Sequence, residues 1–292
     1  MSGLYECHGH LMMDGTDFSN AKKRHATGVD YDSLRQNLSA LRDAGVTYFR
    51  DGGDACGVSA AARALAGDYG VEYATPIFAI HKNGHYGKIV GRGFSDLAEY
   101  RGLVAEAKAA GADFIKLMFS GIITFRAYGE LSCPGLDFSE IRELVRIAHG
   151  EGFAVMAHVN GPDTVHAAIE AGTDSIEHGY FMDEAGLAAL AASDSIWVPT
   201  VAATAAFIGR AGFDRNAAEK TVEQQKENVR RAAALGAVIA CGSDAGAVGV
   251  PHGEGANTEY EFLRSAGMTP AQIAAGNEML RLRFRREERE AR

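Results

Sequence analysis

Short apolar runs alternate along this chain with longer stretches in which apolar residues recur at helical spacing, the pattern of strands followed by amphipathic helices. Glycine marks the passage from helix to the next apolar run again and again, in Ala44-Gly45-Val46, Tyr69-Gly70-Val71, Ala110-Gly111-Ala112, Glu151-Gly152-Phe153, Ala171-Gly172-Thr173 and Leu235-Gly236-Ala237. Each triplet predicts a left-handed helix C-cap followed at once by a strand. The predicted strands are Leu4–Cys7, Val46–Arg50, Glu72–Ile80, Asp113–Met118, Phe153–Ala157, Asp174–Glu177, Ser195–Pro199 and Ala237–Cys241. The helices between and after them are Tyr31–Ala44, Val58–Asp68, Ser95–Ala110, Ser139–Glu151, Pro162–Ala171, Asp183–Ala192, Arg215–Leu235, Asn257–Ala266 and Pro270–Leu280. Strand-helix units repeated eight times in roughly 250 residues predict an α/β fold, a (β/α)8 TIM barrel over residues 1–280. A doubly wound open sheet is the alternative, but no Gly-x-Gly-x-x-Gly follows the first strand to favour it.

The loops after strands one, three, four, seven and eight are long: Met12–Asp30, His81–Phe94, Phe119–Asp137, Val201–Asp214 and Ala245–Ala256. Long loops on one face of a barrel are where sites are built. Residues 281–292 are nearly all charged and read as a frayed, solvated helical tail.

Composition narrows the function. Of 292 residues, 47% are hydrophobic and 23% charged, which suits a globular protein with a large core. A net charge of −9 with no broad basic stripe argues against a nucleic-acid partner and for small molecules. Cys7, Cys56, Cys133 and Cys241 have no paired spacing, so neither a disulfide framework nor a zinc knuckle is expected. No apolar run is long enough for a membrane helix, and the start lacks the features of a signal peptide, so the expected location is the cytoplasm.

The candidate chemistry sits at the C-terminal ends of the strands. Tyr5-Glu-Cys-His-Gly-His10 sends His8 and His10 to one side of a strand, since side chains alternate; read alone, the pair also fits a turn beside a core histidine. Lys116 lies inside the apolar run Phe-Ile-Lys-Leu-Met, His158 ends strand five, His178 ends strand six in Ser-Ile-Glu-His-Gly, and Asp244 follows strand eight in Gly-Ser-Asp-Ala-Gly. A lone histidine or lysine at such a place is usually structural. Six ionisable groups on one rim are costly unless paired or metal-bound.

Two histidines, a lysine, two histidines and an aspartate, in this order, resemble the amidohydrolase superfamily. Ile-Lys-Leu-Met, Ser-Ile-Glu-His-Gly and Gly-Ser-Asp-Ala-Gly are similar to its prolidase-like branch of dipeptidases and acyl-amino acid hydrolases. The resemblance implies a binuclear centre of two divalent ions, most simply zinc: His8, His10 and Asp244 on one metal, His158 and His178 on the other, and carboxylated Lys116 between them. Burial favours a neutral, carbamate-forming lysine, and neutral imidazoles with oxygen anions suit zinc. The implied reaction is cleavage of an amide C–N bond in an N-acyl amino acid or dipeptide by a metal-bridging hydroxide, with Asp244 as proton shuttle. The same site would serve an ester, lactone or carbamate, and a barrel without turnover would serve as a binding protein. Similar deaminases lack the lysine and carry a glutamate soon after the fifth-strand histidine, where this chain has Val159-Asn160-Gly161. The superfamily's accessory β-sandwich has no counterpart in this sequence, which is expected of either a barrel-only member or a trimmed reading frame, with oligomerisation a way to cover exposed surface.

For the substrate, the third loop offers Lys82, His85, Lys88 and Arg92 with no acid, which suggests a carboxylate to be held. His85 matches a position that in similar proteins donates to the scissile carbonyl or the substrate carboxylate. Arg92, Tyr128 and Asn160 are further expected substrate contacts, with Arg126 and Arg210 behind them. His25 and His252 lie in loops that reach toward the site, and His149 and His166 in helices.

Overall fold

In the computed structural model, which describes residues 3–285, parallel strands line a barrel wrapped by helices. The strands are β1 (Leu4–Gly9), β2 (Val46–Asp51), β3 (Glu72–Ala74), β4 (Ala79–Lys82), β5 (Gly91–Phe94), β6 (Ile115–Met118), β7 (Val155–Val159), β8 (Ser175–His178) and β9 (Ile196–Val198). They pair in the orders β1-β2-β3 and β5-β4-β6-β7-β8-β9, every pair parallel. Residues 237–241 occupy the gap between β9 and β1. Trp197 N donates to Val238 O at 2.9 Å, Ala240 N to Trp197 O at 2.9 Å, and Cys7 N to Cys241 O at 2.9 Å. The eighth predicted strand is therefore reduced to single bridges, yet it closes the (β/α)8 barrel.

The third predicted strand, Glu72–Ile80, is broken. Pro76 lacks the N–H that a ladder needs, and Ile77 turns into the left-handed region at φ 68°. β3 pairs with β2 below the break, and β4 pairs with β6 above it. Above the break β4 also gains β5 on its other side, formed by residues that periodicity reads as loop. The six junction glycines all take positive φ, between 72° and 89°, so each helix stops where the sequence predicts.

Two short helices lie inside predicted loops: Phe18–Arg24, whose start is capped by Asp17 accepting from Ser19 N, and Val201–Ala205. The last helix, Pro270–Arg283, runs past residue 280. Its end is not a solvated fray: Arg281 pairs with Glu72 and Glu278, and the Phe284 ring is buried inside the barrel's closed end. Residues 286–292 lie outside the described residues. The largest core packs the helices on the outside of the sheet and includes the fully buried Trp197, Phe119, Phe153 and Ile176. The four cysteines are free, and among the described residues no helix is long and apolar enough to cross a membrane.

Candidate metal centre

His8, His10, Lys116, His158, His178 and Asp244 line one cavity of about 180 Å³ at the C-terminal ends of the strands. The first two leave β1, Lys116 sits in β6, His158 in β7 and His178 at the end of β8. His178 and Asp244 reach inward because both take a left-handed backbone, φ 67° and 65°. For non-glycine residues this conformation is strained by roughly 1–2 kcal/mol. In β8 it has a particular effect. Alternation would send neighbours Glu177 and His178 to opposite faces, but the turn at His178 brings both into the barrel.

The ligand atoms crowd together. Asp244 Oδ1 stands 3.7 Å from His8 Nε2 and 3.6 Å from His10 Nε2, too far for hydrogen bonds. Two donors about 2.1 Å from a tetrahedral zinc lie about 3.4 Å apart, so this spacing suits a shared cation. The His158 ring lies 4.6 Å from that of His178, which lies 4.9 Å from that of His8. Lys116 Nζ, Asp244 Oδ1 and His10 Nδ1 are buried with no hydrogen-bond partner. Orphaned buried donors and acceptors are expensive, and a divalent cation is the group this donor set fits. Burial holds the imidazoles neutral: His10 and His158 are pushed down to about 3, and His8 and His178 well below their ordinary value. Burial likewise lowers the Lys116 amine and raises the Asp244 carboxyl.

Behind these six stands a polar scaffold that motif reading passes over. His8 Nδ1 donates to Glu177 Oε2 at 2.6 Å, which leaves Nε2 free to face the cavity. Glu177 Oε1 accepts from Arg50 at 2.8 Å, and Arg50 also donates to Cys7 O at 2.7 Å and Ser175 Oγ at 2.9 Å. His178 Nδ1 meets Thr200 Oγ1 at 2.7 Å, and Tyr180 OH donates to Thr200 O at 2.8 Å. The signal was present in the sequence: an arginine in the apolar strand Val-Thr-Tyr-Phe-Arg, and a glutamate in Ser-Ile-Glu-His.

The expected substrate contacts divide. Asn160 lines the cavity, but its amide is committed, Nδ2 donating to Gly121 O at 3.1 Å and Oδ1 accepting from Tyr180 N at 3.1 Å. His85 is absent from the cavity wall, with its Nδ1 buried and unpartnered. Arg92 lies away from the cavity, bound to Glu106 and stacked 4.1 Å over the Phe78 ring. Tyr128 is exposed, with its hydroxyl on Gln224 and its ring edge-on to Phe181. Lys82 is held by Glu140 at 2.8 Å. Lys82 and Arg92 thus spend their charge on neighbouring helices while Lys88 is exposed outside the wall, and no cation of this loop lines the cavity. Arg126 and Arg210 are exposed outside the wall. His252 and His25 are structural, bonded to Met13 O at 2.7 Å and Asp30 N at 3.1 Å, while His149 and His166 face Asp174 and Asp183.

Known proteins share this frame. An uncharacterized protein of Mycobacterium tuberculosis is 30% identical over 180 residues, 60% of this chain and 47% of its own length. The chain thus spans about half the length of the curated relatives it matches. A Xaa-Pro dipeptidase superposes with a TM-score of 0.76 at 24% identity, covering 96% of this chain and 75% of that one. A. niger ochratoxinase superposes at 0.78 with 22% identity, covering 98% and 72%. The model of the Amidohydrolase family matches residues 1–280, and the chain belongs to that family.

Proposed function

We propose that this protein is a hydrolase of the amide C–N bond in a small substrate, working with two divalent metal ions, most simply zinc. What supports this is one observation: the orphaned Lys116 Nζ and Asp244 Oδ1 meet four neutral imidazoles at the foot of a single cavity. His8, His10 and Asp244 would hold one ion, and among the described residues they form a cluster with ligand atoms within 4.8 Å of one another. His158 and His178 would hold the other, with Lys116, carboxylated by carbon dioxide, between them. Such ions supply positive charge that acidifies water and polarises a carbonyl. The likeness to a Xaa-Pro dipeptidase favours a C–N bond over an ester as the one cleaved.

The chain's own residues supply the rest. Glu177 fixes the ring orientation and tautomer of His8, and Thr200 orients the His178 ring, so less reorganisation accompanies metal binding. Asp244 is the proton carrier, taking a proton from attacking water and delivering it to the leaving nitrogen. His85, half-buried in the third loop outside the cavity wall, is the reserve donor toward the substrate carbonyl.

The test is metal content and turnover together. Purified protein should carry two equivalents of metal, lose amide hydrolysis to a chelator and recover it with added metal. Asp244→Asn should abolish turnover with the fold retained. A metal-replete protein that turns over as fast with Asn at this position overturns the role of Asp244.

A further inference from the structure

Above the ligand set the cavity wall is apolar. Met13, Phe18, Ile123, Phe125, Phe207 and Val248 form its sides. Ile89 and Ile122 line it near the mouth and are 36% and 43% exposed. Phe125 and Phe207 stack at 4.6 Å, with Phe213 edge-on to Phe207 at 4.8 Å and 38% exposed, so the apolar surface continues outward. An exposed apolar patch continuous with a cavity marks a surface that meets an apolar ligand.

Charge is missing from the same wall. Lys116, at the foot of the cavity, is the one lysine or arginine among the lining residues; of the third-loop cations Lys82 and Arg92 are taken by Glu140 and Glu106, and Lys88 is exposed outside the wall. The polar side chains on the wall are few and mostly occupied. Thr204 donates to Val201 O, Tyr180 to Thr200 O, and Asn160 to Gly121 O. Tyr86 differs: its ring packs 4.9 Å from that of His158, and no hydrogen bond to its hydroxyl is found among the described residues. That hydroxyl is free to donate one bond to a neutral substrate, which is not enough to hold a carboxylate removed from water.

We propose that the substrate is uncharged and apolar, an aryl or alkyl amide without a free carboxylate, with its hydrophobic part against the Phe125–Phe207 wall and one polar atom on Tyr86. This specificity rests on the hydrolase reading above but is tested apart from it. The probes are N-acetyl-2-phenylethylamine and N-acetylphenylalanine, which differ only by the carboxylate. Calorimetric titration of the metal-free protein should show the neutral amide binding at least 10-fold more tightly. In the metal-loaded protein, kcat/KM should favour it by at least as much. Ile122→Arg, which adds a cation at the exposed mouth, should swing the binding ratio toward the acid by about 10-fold. Equal or tighter binding of the acid by the unaltered protein overturns the inference, whatever the turnover. Tighter binding of the neutral amide with no cleavage of either probe supports the apolar site and counts against the hydrolase reading alone.

Discussion

Nδ1 of His8 sits 2.6 Å from Oε2 of Glu177, joining two strands that are not neighbours in the barrel. The other carboxylate oxygen is bound to Arg50, itself wholly buried. One glutamate thus aims a histidine that faces the cavity and neutralises a cation that no solvent reaches.

Removing that glutamate should be costly in two distinguishable ways. Glu177→Ala leaves Arg50 uncompensated, and breaking a buried pair in this way costs about 3–5 kcal/mol. Urea denaturation of the metal-free protein reads this. Glu177→Gln keeps an acceptor for His8 but loses the charge, and metal affinity should weaken 10- to 100-fold by titration. An alanine variant of unchanged stability would show that Arg50 finds another anion.

Lys116 should behave in the opposite sense. Its amine has no hydrogen-bond partner to lose, so Lys116→Met should cost less than about 1.5 kcal/mol in the metal-free state. Bound metal should fall from two equivalents per chain to one or fewer, and turnover should vanish. A loss of several kcal/mol would show that the amine has a structural partner.

Gly52 leaves no room beside the His10 ring. A Cβ placed there would lie 2.2 Å from Cε1 of His10, so Gly52→Ala must push the ring aside. Metal affinity should drop about 10- to 100-fold, and imidazole NMR signals should shift for His10 ahead of His158. Unchanged affinity would place His10 outside the ligand set.

Glu259 gives the fold a pH dependence remote from metal chemistry. Burial raises its carboxyl to about 8, one oxygen accepting from Ala202 N at 2.7 Å and the other unpartnered. The folded state therefore holds a proton that the unfolded chain has released above its ordinary value of 4.5. Its contribution is complete below about pH 4.5 and is lost as pH rises through about 8. Glu259→Gln should flatten this fall and raise stability at pH 8 by as much as about 4 kcal/mol, since the carboxyl moves from 4.5 to about 8 and each unit of pKa difference is worth about 1.4 kcal/mol. Parallel melting curves for the two proteins at pH 5 and pH 8 measure it.

The strands, the helices and the six strand-end groups were legible because each is a local pattern: a helical period, a glycine stop, a charged residue in an apolar run. The break at Pro76 was legible too, and reading Glu72–Ile80 as one strand ignored its missing N–H. The short helices Phe18–Arg24 and Val201–Ala205 span too few turns for a period to show. The third loop misled for another reason. Whether Lys82 and Arg92 are free depends on Glu140 and Glu106, which other helices bring alongside, and no local pattern reports such a pairing. Apolar cavity walls are equally silent, since each loop lends one or two side chains without periodicity.

The closure of the barrel by Cys7 N on Cys241 O sets an order of events during synthesis. β1 emerges long before residues near 241, and one of its edges stays unpaired until they have left the ribosome. His8 and His10 acquire Asp244 as a neighbour only then. The cavity that gathers these three side chains is thus complete only at a late step of synthesis, and contacts so distant along the polypeptide slow folding.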